Sequence, residues 1–301
     1  FVGTFTNIEA VEKSAVRVFM HRILMELAGG NSQAHAHAST VDEPLPDGVG
    51  RSPWVLAAGA PCQPFSRMGK QLGAADVRNG YPAAMAAVRD LQPPIVLLEQ
   101  VENVILHTDV VRDIVQELRS LQYFVRVHVC NAVHYGTPQV RVRLVFVACK
   151  FMPIDAPPWT AVEAVTAGEA LDPLGSFAAD SHPELVLTEE QLDVIKRFEL
   201  QSRVRRSRDL VRSLPSRGVT ATNNVGVTGS TMRLLLDDGT TRRRLTEAEV
   251  GVLQGFPPEH IEALLQAGIS GRQIMLALGD AVPVQLSRAW ARHLWSCIEE
   301  W

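Results

Sequence analysis

Between residues 54 and 149, short apolar runs and helical stripes take turns, and this alternation restricts the fold more than any other feature of the chain. Residues 54–58 are a compact apolar run followed by Gly59 and Pro61, the pattern of a buried strand running into a loop. Residues 81–91 are helical in pattern and stop at Pro93-Pro94. Residues 95–98 are the next apolar run, 110–121 are helical by spacing, and 123–130 and 144–149 are rich in β-formers. Upstream, 1–8 reads as a short strand. Val11, Ala15, Phe19, Ile23 and Leu27 mark a helical stripe at steps of four that ends at Gly29-Gly30. Residues 31–51 are polar and read as a loop that can hold a short strand. Strands alternating with helices of this length predict an α/β sheet with helices on both faces. Ligands of such sheets sit beyond the carboxyl ends of the strands, where the residues after Ala58 and Leu98 fall.

The pattern changes after residue 150. Residues 151–187 are rich in Pro, Ala and acidic side chains and have weak periodicity. Thr188 and Gln191 form a potential capping box for a helix through Phe198. A basic stretch follows, with Lys196, Arg197, Arg203, Arg205, Arg206, Arg208, Arg212 and Arg217, and then a Gly- and Thr-rich segment with short β-like pieces. Order returns at Leu245. Thr246 and Glu249 form a second capping box, Leu245 and Val250 a hydrophobic staple, and the helix they start ends before Gly255. Residues 271–295 are helical at both ends with an interruption at 279–283. The expected organisation is a first domain over 1–150, a smaller irregular domain over 151–240, and a return to the first domain over 241–301.

Composition narrows the function. The 301 residues are 46% hydrophobic and carry a formal charge of −4, so the chain as a whole is not a polybasic nucleic-acid binder, and any basic binding surface is local. The cysteines are Cys62, Cys130, Cys149 and Cys297. None lies in a CxxC pair, which argues against a zinc site or a disulfide framework. Isolated cysteines fit a reducing compartment. No apolar run approaches the ~18 residues of a membrane span, and no basic segment followed by an apolar stretch opens the chain. An intracellular protein is expected: nuclear in a eukaryote, in the cytoplasm or nucleoid of a bacterium.

The feature with the most chemistry is Pro61-Cys62-Gln63-Pro64-Phe65-Ser66. A cysteine between a strand end and a loop, flanked by prolines, is held rigidly at the ligand edge of the sheet. Taken alone it is equally a small buried thiol. Its companions decide. Gly136 and Pro138 precede Gln139-Val140-Arg141-Val142-Arg143. Arg244-Leu245-Thr246 stands with Glu249 and Gln254-Gly255-Phe256-Pro257. Gly279-Asp280-Ala281-Val282-Pro283 closes the series. In this order, and over nearly the whole chain, the motifs resemble those of the cytosine-C5 DNA methyltransferase family.

The resemblance implies a Rossmann-like, S-adenosylmethionine-dependent methyltransferase sheet with a small irregular target recognition domain. It also implies a reaction. Cys62 is the implied thiolate that adds to carbon 6 of cytosine, so that carbon 5 can attack a sulfonium methyl. This is covalent catalysis, which splits one hard step into two easier ones. The base must leave the duplex to be reached. The family supports N3 of the ring with the Glu of a Glu-Asn-Val motif. Here the segment reads Glu99-Gln100-Val101-Glu102-Asn103-Val104. Glu99 is preferred because it follows directly on the strand at 95–98 and fits the family's spacing to Cys62 and Arg143 without a gap. Glu102, the literal match, is the alternative. Arg143 is the implied base-orienting arginine, and Arg141, two residues earlier and so on the same face of the same strand, is expected to point into the same site and help position the base.

For the cofactor, the resemblance points to Glu9 at the ribose hydroxyls, Asp42 at the adenine, and Pro61, Asp280 and Ala281 around the same pocket. Asp280 stands where the family has Asn. For duplex DNA it points to Ser66 and to Arg203, Arg205, Arg206 and Arg208 in the basic stretch, which a solvated helix face also explains. No metal is expected. The family's Phe-x-Gly-x-Gly turn, which should precede Phe1, is absent, so the expectation is a chain that lacks the first cofactor motif and whose own activity is in doubt. Two other readings share these motifs: a non-catalytic DNA-binding relative, and a cytosine methyltransferase acting on transfer RNA.

Overall fold

The computed structural model describes residues 2–5, 37–40, 55–60, 64–65, 72–76, 78–201, 209–219 and 231–299. The chain divides into two compact units, one formed by Phe1–Cys130, Val142–Pro158 and Trp290–Trp301, the other by Asn131–Arg141 and Trp159–Ala289. These borders differ from the expected segments: 131–141 and most of 241–301 belong to the second unit.

The first unit is built on a six-stranded sheet in the order β2-β1-β3-β4-β7-β5. Its strands are β1 (Val2–Phe5), β2 (His37–Thr40), β3 (Val55–Gly59), β4 (Ile95–Val101), β5 (Phe124–Asn131) and β7 (Val142–Cys149). Strands β1 to β4 run parallel, and β7 is antiparallel to β4. The chain steps from β1 outward to β2 and then to β3 on the other side, so the strand order reverses between β1 and β3. Such a reversal opens a crevice at the carboxyl edge.

Two helices fill the connections. Helix α1 (Tyr81–Leu91) coincides with its expected span; Gln92 ends it in the left-handed conformation, and two prolines forbid its continuation. Helix α2 (Thr108–Ser120) buries Val110, Ile114 and Leu118 at steps of four. Burial of side chains this size stabilises by roughly 1.5–3 kcal/mol each. Both helices pack on Leu56, Val96, Leu98, Leu144 and Phe146 of the sheet, and Phe65 and Tyr81 close the same core. Strand β4 alternates from Leu97 on: Leu98 and Gln100 are buried, while Leu97, Glu99 and Val101 are half-buried. Glu99 and Gln100 therefore lie within the strand, which runs three residues past its expected end.

The second unit contains β6 (Gln139–Val140) paired in parallel with β9 (Ser216–Arg217), and a three-stranded sheet of β11 (Arg242–Arg244), β10 (Arg233–Leu235) and β8 (Asp209–Leu210). Its helices are α3 (Ala167–Leu171), α4 (Glu189–Gln201), α5 (Glu247–Leu253), α6 (Pro258–Gln266), α7 (Gly271–Asp280) and the first part of α8 (Val284–Glu299). Both expected capping boxes form: Thr188 with Gln191, and Thr246 with Glu249. At its centre the Arg243 guanidinium, with no exposure, donates to both Glu249 carboxylate oxygens at 2.6 and 2.9 Å and to the Ser176 and Arg244 carbonyls.

Candidate active site

The first unit brings Glu99 and Arg143 together. Glu99 sits opposite Gly59 on β3 and opposite Val145 on β7; Arg143, two residues before Val145, lies on the same face as a diagonal neighbour. Arg143 Nε donates to Glu99 Oε1 at 2.7 Å, and the two side chains retain only 13% and 18% exposure. That small exposure leaves the carboxylate accessible to a ligand. Gly59 gives it room: a Cβ there would stand 3.4 Å from Glu99 Oε2.

The opposite face of β4 and the turn after it bond to Ala60 and Phe65. Buried Gln100 donates from Nε2 to the Ala60 carbonyl at 3.1 Å, and its Oε1 accepts from Val101 N–H at 2.9 Å. A 3₁₀ turn (Glu102–Leu106) follows, and buried Asn103 in it donates from Nδ2 to the Phe65 carbonyl at 2.7 Å. Gly73 N–H donates to the Pro64 carbonyl at 3.1 Å, and the His107 ring meets Phe65 edge-on at 5.3 Å. Tyr81 packs on Phe65 at 5.6 Å; burial and the neighbouring Glu99 charge push its phenol far above the usual range, so it stays neutral. Sequence reading treated Asn103 only as part of a rival glutamate motif. The literal Glu-Asn-Val there was the signal available for it.

Arg141 does not share a strand with Arg143. The strand expected over both breaks at Arg141, between β6 and β7. Arg141 belongs to the second unit and is 5% exposed. Its guanidinium donates to the carbonyls of Val219, of Gly279 at 2.7 Å and of Ala281 at 3.0 Å. The residue expected beside the base is thus engaged with backbone. Neighbouring Gln139, fully buried, donates to the Leu253 carbonyl at 3.0 Å and the Gln254 side chain at 3.2 Å, and accepts from Val219 N–H at 3.0 Å. Gln254 in turn donates to the Leu278 carbonyl. Three of the motifs are therefore knitted into one hydrogen-bonded knot within this unit.

Of the other expected site residues, Asp280 is exposed at the end of α7 and Ala281 caps that helix. Cys62, Glu9, Asp42, Pro61, Ser66, Arg203, Arg205, Arg206 and Arg208 lie outside the described residues. In the rest of the basic stretch, Lys196 and Arg197 are exposed on α4, and Arg212 is committed to Asp172 at 2.8 Å and Asp237 at 2.9 Å. Among the described residues there is no cluster of three side chains able to hold a metal, and no helix is long and apolar enough to cross a membrane.

Comparison with solved structures agrees with this architecture. The Entamoeba histolytica methyltransferase EhMeth superposes with a TM-score of 0.64 over 99% of this chain and 98% of its own, at 13% identity. The S. pombe Dnmt2 methyltransferase superposes with 0.62 over 98% of both chains, at 13% identity. The fold is that of a Rossmann-like methyltransferase.

In sequence, residues 47–160 match the family described as C-5 cytosine-specific DNA methylase. The Type II methyltransferase M.AplI of Arthrospira platensis is 35% identical over 254 residues, 82% of this chain and 70% of that protein. M.NgoBI of Neisseria gonorrhoeae is 28% identical over 249 residues, 78% of this chain and 72% of its own length. The chain belongs to the C-5 cytosine-specific DNA methylase family, and its enzyme class is DNA (cytosine-5)-methyltransferase.

Proposed function

We propose that this chain carries the machinery that methylates cytosine in duplex DNA through a covalent bond between Cys62 and carbon 6 of a base flipped out of the helix. The observation that carries the reading is the Glu99–Arg143 pair, a carboxylate fixed at 2.7 Å by a guanidinium beside the strand end from which the Cys62 loop leaves. Glu99 is suited to hold N3 of the ring and Arg143 to hold Glu99 in place, its guanidinium itself steadied by a bond from Nη1 to the Val142 carbonyl at 2.8 Å. Addition of the Cys62 thiolate makes carbon 5 nucleophilic; after methylation, loss of the carbon-5 proton expels the thiolate and restores the ring. Glu102 lies in the turn that follows the strand; Glu99, paired with Arg143, is the glutamate proposed to hold N3.

The methyl donor proposed is S-adenosylmethionine, which when bound supplies an electrophilic sulfonium methyl. The sheet fits a nucleoside cofactor in one respect: the parallel strands β1 and β3 flank the reversal of strand order, and ligands of open α/β sheets bind outside the carboxyl ends there. Glu9, Asp42, Pro61, Asp280 and Ala281 are the residues proposed to line it. Ser66 and the arginines at 203, 205, 206 and 208 are proposed to contact DNA, and 151–240 to serve as the recognition segment.

The test is trapping. The chain, S-adenosylmethionine and duplex DNA containing 5-fluorocytosine are incubated beside C62A and beside transfer RNA. Fluorine cannot leave as the proton does, so a productive attack stalls as an adduct. An adduct on DNA that C62A lacks is expected. Reaction with RNA alone, or an adduct that survives C62A, overturns the proposal.

A further inference from the structure

We infer that the outer edge of β5 is an interface for a second copy of this chain, paired strand to strand about a twofold axis through Val127. β5 ends the six-stranded sheet, and among the described residues no strand pairs with its outer edge. The backbone there points outward in a defined phase. Ala132 N–H, one residue past the strand, donates to the Arg141 carbonyl at 3.0 Å, just ahead of β7, and Asn131 before it keeps an extended backbone. By alternation the even residues of β5 turn their N–H and C=O groups toward β7, while Val125, Val127 and Val129 turn theirs outward. The strand is eight residues long and contains neither proline nor lysine, two of the devices that keep an edge from pairing. The sheet's other edge, β2, is four residues long.

The side chains select the partner. Val125, Val127 and Val129 share one face of β5. Val125 packs against the core beneath α2, whereas Val127 and Val129 are 38% and 61% exposed. Arg126 and His128 share the other face and are engaged within their own copy. Arg126 pairs with Asp155 at 3.1 Å, His128 Nε2 bonds the Ile154 carbonyl at 3.1 Å, and Trp290 of α8 lies against the His128 ring at 5.8 Å. An antiparallel twofold can be centred on residue 126, 127 or 128. Centred on 126, it sets Arg126 against its own charge, which destabilises. Centred on 128, it sets Val125 opposite polar Asn131. Centred on Val127, it sets Val127 opposite itself and Val125 opposite Val129 on both sides, so one valine row crosses the two copies. The outward-facing residues are then the ones that exchange N–H and C=O bonds. A patch that is its own complement is what a twofold dimer requires. Strands β3, β4 and β7 stand between this edge and the reversal of strand order, so the pairing does not use the crevice there.

The experiment is sedimentation of the chain without DNA or cofactor, joined to cysteine cross-linking. The parent should pass from one copy to two with a midpoint on the order of 10 µM, as suits a small interface. V129K changes a well-exposed residue and puts an ammonium opposite Val125 of the other copy, so it should weaken the dimer at least about tenfold. V127C tests the register. In this pairing its Cα lies about 5.5 Å from its twin, within reach of a disulfide, and mild oxidation should link two copies. V129C should not link, because its twin stands four residues along the strand, about 14 Å away. The parent, with its native cysteines, is oxidised in parallel, and peptide mass mapping locates each bridge. A parent that stays a single copy up to about 200 µM overturns the proposal and leaves the edge to a strand of some other chain. A dimer that V129K leaves intact places the contact on another face, and V129C linking as readily as V127C rejects the register; either result overturns it too. Should V127C fail to fold, the parent and V129K decide alone.

Discussion

Replacing Arg141 with methionine should unsettle the second unit and leave the covalent step largely alone. The guanidinium spends its donors on the Val219, Gly279 and Ala281 carbonyls, and the side chain is 5% exposed. Hydrogen bonds to a charged group contribute about 1.5–3 kcal/mol each, so three would suggest more than 4 kcal/mol. Against this, methionine escapes the cost of desolvating a guanidinium and keeps most of the aliphatic stem packed. A net loss of about 3 kcal/mol follows. At about 3 °C per kcal/mol for a unit of this size, the melting transition should drop by about 10 °C. R141K keeps the charge but concentrates it on one nitrogen, which cannot span three carbonyls, so roughly half the loss should remain. Circular dichroism melts give the first quantity. The 5-fluorocytosine adduct rate, measured well below the transition, gives the second. An R141M chain that melts like the parent but traps DNA about 100-fold more slowly would refute the backbone role and return Arg141 to the base.

Three further outcomes can be checked. At Glu249 burial pushes the carboxyl up, but hydrogen bonds and charge from Arg243 prevail and hold it below its usual value. The pair's stabilisation is therefore present above about pH 4.3 and lost as pH falls through the lower folded value. E249Q, which strands a buried cation, should cost about 3–5 kcal/mol at pH 7, and its urea midpoint should approach the parent's in acid; a constant gap from pH 7 to 2 would contradict this. Gly255 has φ +89°, and a Cβ there would fall on the Gln285 side chain that Thr137 donates to at 3.1 Å, so G255A should destabilise by about 2 kcal/mol in chemical denaturation; a neutral effect would refute the constraint. E99Q should slow adduct formation by about 10²–10⁴-fold while E102Q stays within about twofold, and the reverse result would exchange the two glutamates.

The parts of the fold legible in the sequence are those set by local chemistry. Helix α1 announces itself by its apolar spacing and stops where two prolines stop it; the capping boxes at Thr188 and Thr246 form because Ser/Thr-x-x-Glu/Gln needs only its own turn. Strand β4 was read too short because Glu99 and Gln100 are polar, and polar residues within a strand are read as its end. Helix α6 was missed: its buried apolar residues are only Ile261 and Leu264, although Pro258 followed by Glu259 is a start signal. Arg141 was misplaced because alternation in sequence implies one face only while the strand is unbroken. The Arg243–Glu249 pair was invisible as a pair, since Glu249 already had a sufficient reason to exist as a helix cap.

The diagonal placement of Glu99 and Arg143 on antiparallel neighbours bears on how such a chain can diverge. In register, Val101 faces Arg143 and Glu99 faces Val145. Inserting or deleting one residue inside β4 or β7 would turn one partner to the opposite face and separate the pair. The connection 132–141 carries no such constraint on the pair, because β7 finds its register from its own apolar residues against β4. Length variation among descendants should therefore accumulate outside these two strands and outside the knot around Gln139 and Arg141, while the paired strands tolerate exchange of their apolar residues and no change in count.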